Sequence, residues 1–241
     1  MFYLEKDIRS IKKNLKSEKN KIQGKTILLT GGCGFLGKYF IEVINHLNKD
    51  AKKKTRLIII DNIPLKNFKY LRSKYKNFIF LKQDVSKKIQ INNKIDFIIH
   101  AAGIASPFFY RKKPLETLEV AVNGTKNCLE LAKKNKCKLI FFSSSEIYGD
   151  PHISQIPIKE DYRGNVSTMG PRACYDESKR VGETLCYIYQ QKFNLKINII
   201  RPFNVYGPGM GQRDYRILPN FIDNILNKRK LKVYGTGRQT R

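Results

Sequence analysis

From about residue 26 onward, short apolar runs alternate with longer stretches in which apolar residues recur at helical spacing. Six runs read as strands: 26–30, 56–61, 78–81, 97–100, 138–143 and 197–201. They are rich in Ile, Leu and Phe and nearly continuous, with no polar residue at every second position. A strand covered on both faces reads this way, because neither face meets water. Between the strands, 34–48 places Phe35, Leu36, Phe40, Ile41, Val43, Ile44 and Leu47 on a helix. The stretch 114–135 opens with Pro114, a residue suited to a first helical turn, and 171–193 is a third long helix. This alternation predicts an α/β fold with a doubly wound parallel sheet and ligands at the carboxyl ends of its strands.

The two ends depart from that rhythm. Residues 1–24 are lysine-rich with weak helical periodicity (Ile8, Ile11, Leu15), and are expected to form a surface helix or arm without chemistry. Residues 25–203 carry the sheet. From Asn204 the chain turns to Gly/Pro-rich loops, a helix near 216–227 and a short strand at 231–234, read as the start of a smaller substrate lobe over 204–241.

A length of 241 residues suffices for one substantial core. No apolar run reaches the roughly 18–20 residues needed to cross a bilayer. The first residues lack the apolar centre of a signal peptide, so a cytoplasmic protein with no membrane partner is expected. Cys33, Cys128, Cys137, Cys174 and Cys186 form no Cys-x-x-Cys pair and are odd in number, which points to reduced thiols. With only three histidines, no metal site is expected. The net charge of +27 has three readings. These are a coding preference for Lys, Asn and Ile, a field that draws in an anionic nucleotide substrate, and nucleic-acid binding. The lysines are scattered along the whole chain, which ranks nucleic acid last.

Candidate chemistry begins where the first strand ends. Gly31, Gly34 and Gly37, with Phe35 and Leu36 between them, have the spacing of a turn whose backbone approaches a pyrophosphate. The helix that follows offers free N–H groups to the phosphates. Asp61, followed by Asn62, closes the second strand, where a carboxylate binds ribose hydroxyls and disfavours a 2′-phosphate; a strand-end cap is the alternative. Asp84 and Val85, after the third strand, are secondary candidates for contact with adenine.

Tyr175 and Lys179 stand one helical turn apart on one face. A nearby ammonium, together with a cationic nicotinamide, would favour the phenolate and fit the tyrosine for proton transfer. Chance alone gives about two Tyr-x-x-x-Lys spacings in a chain this rich in both residues. The second is Tyr70/Lys74, in the charged segment between strands two and three. Topology selects Tyr175/Lys179, because its helix follows the fifth strand, whose end is Ser143-Ser144-Ser145-Glu146. Ser144, Ser145 and Glu146 either serve the reaction or form a helix-cap cluster.

Taken together, several motifs resemble the extended short-chain dehydrogenase/reductases, the nucleotide-sugar epimerase/dehydratase superfamily, over residues 25–241. They are Thr-Gly-Gly-x-Gly-Phe-Leu-Gly (30–37), His-Ala-Ala (100–102), Asn-Gly-Thr (123–125), Ser-Ser-Ser-Glu-Ile-Tyr-Gly-Asp-Pro (143–151) and Arg-Pro-Phe-Asn-Val-Tyr-Gly-Pro (201–208). Within that superfamily the stretch Gly-Pro-Arg-Ala-Cys-Tyr-Asp-Glu-Ser-Lys-Arg (170–180) is most similar to the UDP-glucuronate decarboxylases, or UDP-xylose synthases.

The resemblance implies a Rossmann domain holding NAD, with Ala101 and Ala102 beside the cofactor and a homodimer formed through 114–135 and 171–193. It implies substrate contacts from Ser106, Tyr110, Tyr189, Asn204 and Arg216, and from Arg241 near the diphosphate. It further implies that Tyr175 takes the proton of the 4-hydroxyl as NAD removes the C4 hydride, after which the 4-keto uronate loses CO₂. Ser145 and Glu146 would orient the carboxylate and return a proton to C5. Dehydratases of the superfamily carry Asp-Glu where this chain has Ser145-Glu146, so the acid that expels a hydroxyl is missing.

Three departures accompany the likeness. Glu119 and Val120-Ala121 replace a substrate-contacting lysine and a Thr-Asn pair, and an acid at 119 would repel a uronate. Ile63-Pro64-Leu65-Lys66 replaces a Gly-containing loop. Relatives continue for several dozen residues past Arg241, so the lobe is expected to be incomplete. A sugar-nucleotide 4-epimerase and an inactive NAD- or RNA-binding remnant are the competing expectations.

Overall fold

The computed structural model describes residues 5–211, 214–233 and 235–237. Helix α1 (Glu5–Asn14) and a 3-10 turn (Lys16–Ile22) precede the sheet. The chain then runs through β1 (Thr26–Thr30), α2 (Phe35–Asp50), β2 (Arg56–Asp61), α3 (Leu65–Lys74) and β3 (Ile79–Lys82). The second half comprises β4 (Phe97–His100), α4 (Pro107–Lys112), α5 (Pro114–Asn135), β5 (Lys138–Phe142), α6 (Ala173–Phe193), β6 (Ile197–Ile200) and α7 (Ile217–Leu226).

All six strands pair in parallel in the order β3-β2-β1-β4-β5-β6. Strand order reverses between β1 and β4, and at such a crevice an open α/β sheet binds ligands. The fold is the doubly wound Rossmann type that the strand pattern predicts. Its continuous apolar runs are explained by burial on both faces. Ile27 and Leu29 of β1, with Leu57 and Ile59 of β2, meet Ile41 and Ile44 of α2. Leu28, Ile58 and Ile60 point the other way and join Leu129 and Ala132 of α5 and Cys186 of α6. Gly182 lets α6 lie close to β5: an added Cβ would come within 2.5 Å of the Phe141 ring. That approach holds α6 against the strand that precedes it.

Two expectations change. The N-terminal extension is more than a surface arm, since Ile8 is fully buried and α1 is pinned to α2. Asp7 accepts from Tyr39 Oη at 3.4 Å, and Lys12 pairs with Asp50. Burying one isoleucine contributes about 2–3 kcal/mol, enough to dock a short amphipathic helix. No strand forms at 231–233, because no sheet neighbour pairs with it among the described residues, and an isolated strand is not stable. The five cysteines carry free thiols, as their spacing implied.

Candidate active site

The turn after β1 is shaped by what it cannot carry. Gly31 has φ +69°, and a Cβ there would lie 2.7 Å from the backbone of Ala102. Gly37 sits in the first turn of α2, where a Cβ would meet the Gly31 carbonyl at 2.5 Å. The loop after β1, the loop after β4 and the start of α2 are therefore drawn into one close-packed cradle. Gly34 caps α2 without a side-chain bond. The N–H groups of Phe35, Leu36 and Gly37 thus open the helix with no partner inside it, an arrangement suited to phosphate.

Asp61 closes this cradle on the β2 side. Its carboxylate accepts from Cys33 N at 2.9 Å and from Asn62 N at 2.8 Å, and burial pushes its pKa up. The same burial, with Asp61 beside it, raises the Cys33 thiol to about 12, so Cys33 is an inert wall. Asn62 is exposed next to Asp61. Asp84 spends one oxygen on Ser86 N and Oγ, at 2.9 and 2.8 Å, in a local turn. The Val85 side chain lies in the core and its carbonyl accepts from Asn127 Nδ2 at 2.8 Å, so Val85 supplies packing. Beneath Ala101 and Ala102, Thr30 Oγ1 bonds His100 Nδ1 at 2.8 Å, and His100 Nε2 reaches Thr125 Oγ1 at 3.2 Å. Burial, then the charge of Lys179, brings His100 down to about 3 and keeps the ring neutral.

The second half of the site stands on α6 and the end of β5. Tyr175 is buried, and its ring stacks on Tyr110 with centroids 5.1 Å apart and planes 11° from parallel. Burial raises the phenol above its ordinary value, and a hydrogen bond with Ser144 works against that rise. Lys179, also buried, donates to the Phe142 carbonyl at 2.7 Å and lies 5.9 Å from the centre of the Tyr175 ring. Desolvation brings its ammonium down to about 8. In the chain by itself, without the cationic nicotinamide that the expectation included, desolvation sets the direction and the phenol lies above its ordinary value. Ser144 also caps the 3-10 turn Ser145–Tyr148, accepting from Glu146 N at 3.2 Å, as the capping reading of this serine expects. Ser145 N donates to the Pro202 carbonyl at 3.0 Å, tying this turn to the loop after β6.

Arg172, inside the 170–180 stretch, is an addition that the sequence pattern does not single out. It ion-pairs with Glu146, and its Nε lies 3.4 Å from Asp176 Oδ2. A cation three residues before a helical tyrosine was the available signal, but the partner arrives from a distant loop that spacing does not reveal. Arg201 likewise clamps Glu183 at 2.9 and 2.7 Å and meets the Tyr148 hydroxyl at 2.8 Å, fixing the loop beyond β6.

The expected substrate residues divide. Tyr110 is against Tyr175. Arg216 lies near enough to influence the Tyr175 phenol and is held by Asp214 at 2.8 and 2.5 Å. The Ser106 hydroxyl is buried without a hydrogen-bond partner among the described residues, as is Asp176 Oδ1. An orphaned buried hydroxyl at the mouth of the β4 loop fits a site built to receive a ligand atom. Asn204 is exposed in the loop after β6. Tyr189 is not brought to the site. It lies about 21 Å along α6 from Tyr175, and its hydroxyl bonds Glu130 in the contact between α5 and α6. Glu119 is exposed on α5. Arg241 lies outside the described residues.

The glycine cradle, the open helix terminus and Asp61 on one side, with Tyr175, Lys179 and Ser144 on the other, fit a dinucleotide laid across the β1/β4 crevice. Comparison with known proteins agrees. The sequence profile of the NAD dependent epimerase/dehydratase family matches residues 27–241. UDP-glucuronic acid decarboxylase 1 of Xenopus tropicalis is 40% identical over 228 residues, covering 93% of this chain and 51% of the relative. UDP-glucuronic acid decarboxylase 3 of Arabidopsis thaliana is 38% identical over 217 residues, covering 89% and 61%. The chain therefore spans about half to three-fifths of the length of these curated relatives. Among solved structures, UDP-glucuronic acid 4-epimerase of Bacillus cereus in complex with NAD superposes with a TM-score of 0.69 at 26% identity, covering 88% of this chain and 66% of that one.

Proposed function

Because the chain belongs to the NAD-dependent epimerase/dehydratase family, we propose that it decarboxylates UDP-glucuronate to UDP-xylose. The observation that carries this reading is the cluster at the end of β5. Glu146, beside Ser145 and held by Arg172, gives its backbone N–H to Ser144 Oγ, and Ser144 bonds Tyr175. The cofactor is NAD, held by Gly31, Gly34, Gly37 and Asp61; when bound, it supplies reversible two-electron oxidation of a sugar carbon.

Tyr175 takes the proton of the hydroxyl being oxidised and later returns it, and Ser144 holds the same oxygen. Lys179, fixed by the Phe142 carbonyl, keeps a positive charge beside the phenol and offers a donor to a ribose hydroxyl. A ketone at the sugar's fourth carbon stabilises the carbanion left as CO₂ departs. Glu146 and Ser145 orient the carboxylate and return a proton to carbon. Arg172, paired with Glu146, offsets the repulsion between that acid and the uronate. Ser106, Tyr110, Asn204 and Arg216 line the sugar-nucleotide side, and 204–241 is the start of the substrate lobe. A cytoplasmic homodimer through α5 and α6 completes the proposal, supported by exposed Leu118 on α5 and Val181 and Ile188 on α6.

A second reading, a sugar-nucleotide 4-epimerase, is favoured by Glu119 and by the epimerases among the structural neighbours. Mass spectrometry after incubation with UDP-glucuronate and NAD separates the two. Loss of CO₂ with formation of UDP-xylose is expected. A product of unchanged mass that chromatography resolves from UDP-glucuronate supports the epimerase, and UDP-glucuronate recovered unaltered in the presence of bound NAD rejects the decarboxylase.

A further inference from the structure

The two ends of the sheet carry opposite chemistry. The residues that directly follow β1, β2, β3, β4 and β5 (31–34, 62–64, 83–86, 101–106 and 143–149) contain no lysine or arginine; Arg201 after β6 is paired with Glu183, and the other cations of this end, among them Lys87, Lys88, Lys159, Arg163 and Arg172, stand farther along the connections. At the other end, every strand is entered through a connection bearing an exposed lysine: Lys25, Lys54, Lys76, Lys94, Lys136 and Lys196. Arg56 and Lys138, the first residues of β2 and β5, are exposed in the same row. The acid directly before a strand is Asp96, already engaged by Thr26 N at 2.8 Å and by Lys25 at 3.7 Å, while Asp84 stands at the opposite end of the same connection, just after β3.

A coding preference for lysine would load both ends alike. Helix dipoles account for Lys133, Lys134 and Lys192 in the last turns of α5 and α6. They do not account for Lys25, Lys54, Lys94 and Lys196, which stand outside any helix. The asymmetry therefore exceeds both explanations.

We propose that the amino-terminal end of the sheet is a docking face for an anionic lipid bilayer, bound at its surface without insertion. Six strands at about 4.8 Å spacing spread the lysines over about 24 Å. Lys134 in the layer of α5 and Lys52 beyond α2 widen the row into a plane. A plane of flexible ammonium groups matches a plane of headgroup charge, and each lysine near such a surface adds to binding. Nucleic acid fits less well. Lysines are point charges without the bidentate reach of arginine, and no aromatic platform for bases stands at this end among the described residues. The half-exposed ring at this end, Phe193, already carries Lys133 at 4.3 Å and Lys192 at 5.6 Å over it. This revises the expectation of no membrane partner, while no helix among the described residues is long and apolar enough to cross a bilayer. Docked this way, the cofactor crevice at the far end of the strands faces away from the lipid and stays open to its ligands.

Co-sedimentation with vesicles tests the proposal. The protein is expected to bind phosphatidylcholine vesicles containing about one-third phosphatidylserine, to ignore pure phosphatidylcholine, and to dissociate as salt is raised. The variant Lys54→Gln/Lys94→Gln/Lys138→Gln/Lys196→Gln should lose affinity at least about tenfold. Lys66→Gln/Lys69→Gln/Lys88→Gln/Lys159→Gln removes the same charge elsewhere and should stay within about twofold. NAD binding reports folding; if the first variant fails to bind it, Lys54→Gln/Lys94→Gln and Lys138→Gln/Lys196→Gln carry the same comparison. Equal losses in the two sets, or equal binding to neutral vesicles, would overturn the proposal. So would loss of affinity for an RNA oligonucleotide in the first variant while charged vesicles remain unbound by the wild type.

Discussion

Tyr70/Lys74 and Tyr175/Lys179 share a spacing and almost nothing else. Lys74 reaches across from α3 to a buried carboxylate on α2, meeting Glu42 at 2.7 Å, and Tyr75 bonds the same acid. Tyr70 is 57% exposed. That pair belongs to a structural brace, in which a buried acid ties two helices of one layer together. Lys179 has no acid as its bonded partner; it donates to a backbone carbonyl, and its ammonium is correspondingly easier to deprotonate. Tyr175 is 8% exposed and bonded to a serine at the end of a strand. The difference teaches that a four-residue spacing becomes chemistry only where the strand topology delivers it to the crevice.

Substitutions can break this comparison, beginning with the largest effect. Tyr175→Phe should lower turnover by about 10²–10⁴-fold, the usual contribution of one placed proton-transfer group. Tyr70→Phe should change it by less than about twofold. Product mass spectrometry reads both, and equal losses would erase the distinction. In the brace, Lys74→Met should cost about 2–3 kcal/mol in urea unfolding, because it removes a cation from a buried acid that retains Tyr75. NAD affinity should be unchanged in that variant.

A pH titration sharpens the contrast. Lys179 is lowered from 10.5 to about 8 in the folded chain, so between those values the unfolded chain holds a proton that the folded one has released. Stability from this group therefore rises with pH across that window, at up to about 1.4 kcal/mol per pH unit, and is level below it. Lys179→Met should flatten the rise. The smallest effect is expected at the far side of the crevice, where Asp61→Asn should narrow the preference for NAD over NADP by about tenfold, measured as the ratio of binding constants.

The sheet was legible before the structure because β1, β2 and β4 are buried on both faces and leave unbroken apolar runs. The run 197–201 was legible for a different reason: β6 keeps its isoleucines although Ile199 and Ile200 are 39% and 41% exposed at the sheet's edge. Helix α3 is hidden in the sequence, which reads there as a charged stretch, and its hold on the fold comes through Lys74 and Glu42, 32 positions apart. The glycine turn, Asp61 and the Tyr175/Lys179 pair were readable because each is local. Arg172 with Glu146, and Arg201 with Glu183, were not, because loops bring their partners together. Tyr189 shows the opposite failure: a likeness assigned it to the substrate, while its place on α6 sets it among Glu130 and Phe193.

A crystal structure of the protein soaked with NAD puts the account to its most direct trial. The pyrophosphate should lie against Gly31–Gly37 backbone, with the nicotinamide ring beside the Tyr175 hydroxyl and its ribose within reach of Lys179 Nζ. A ring lying elsewhere, or a crevice that takes up no dinucleotide at saturating concentration, would contradict it.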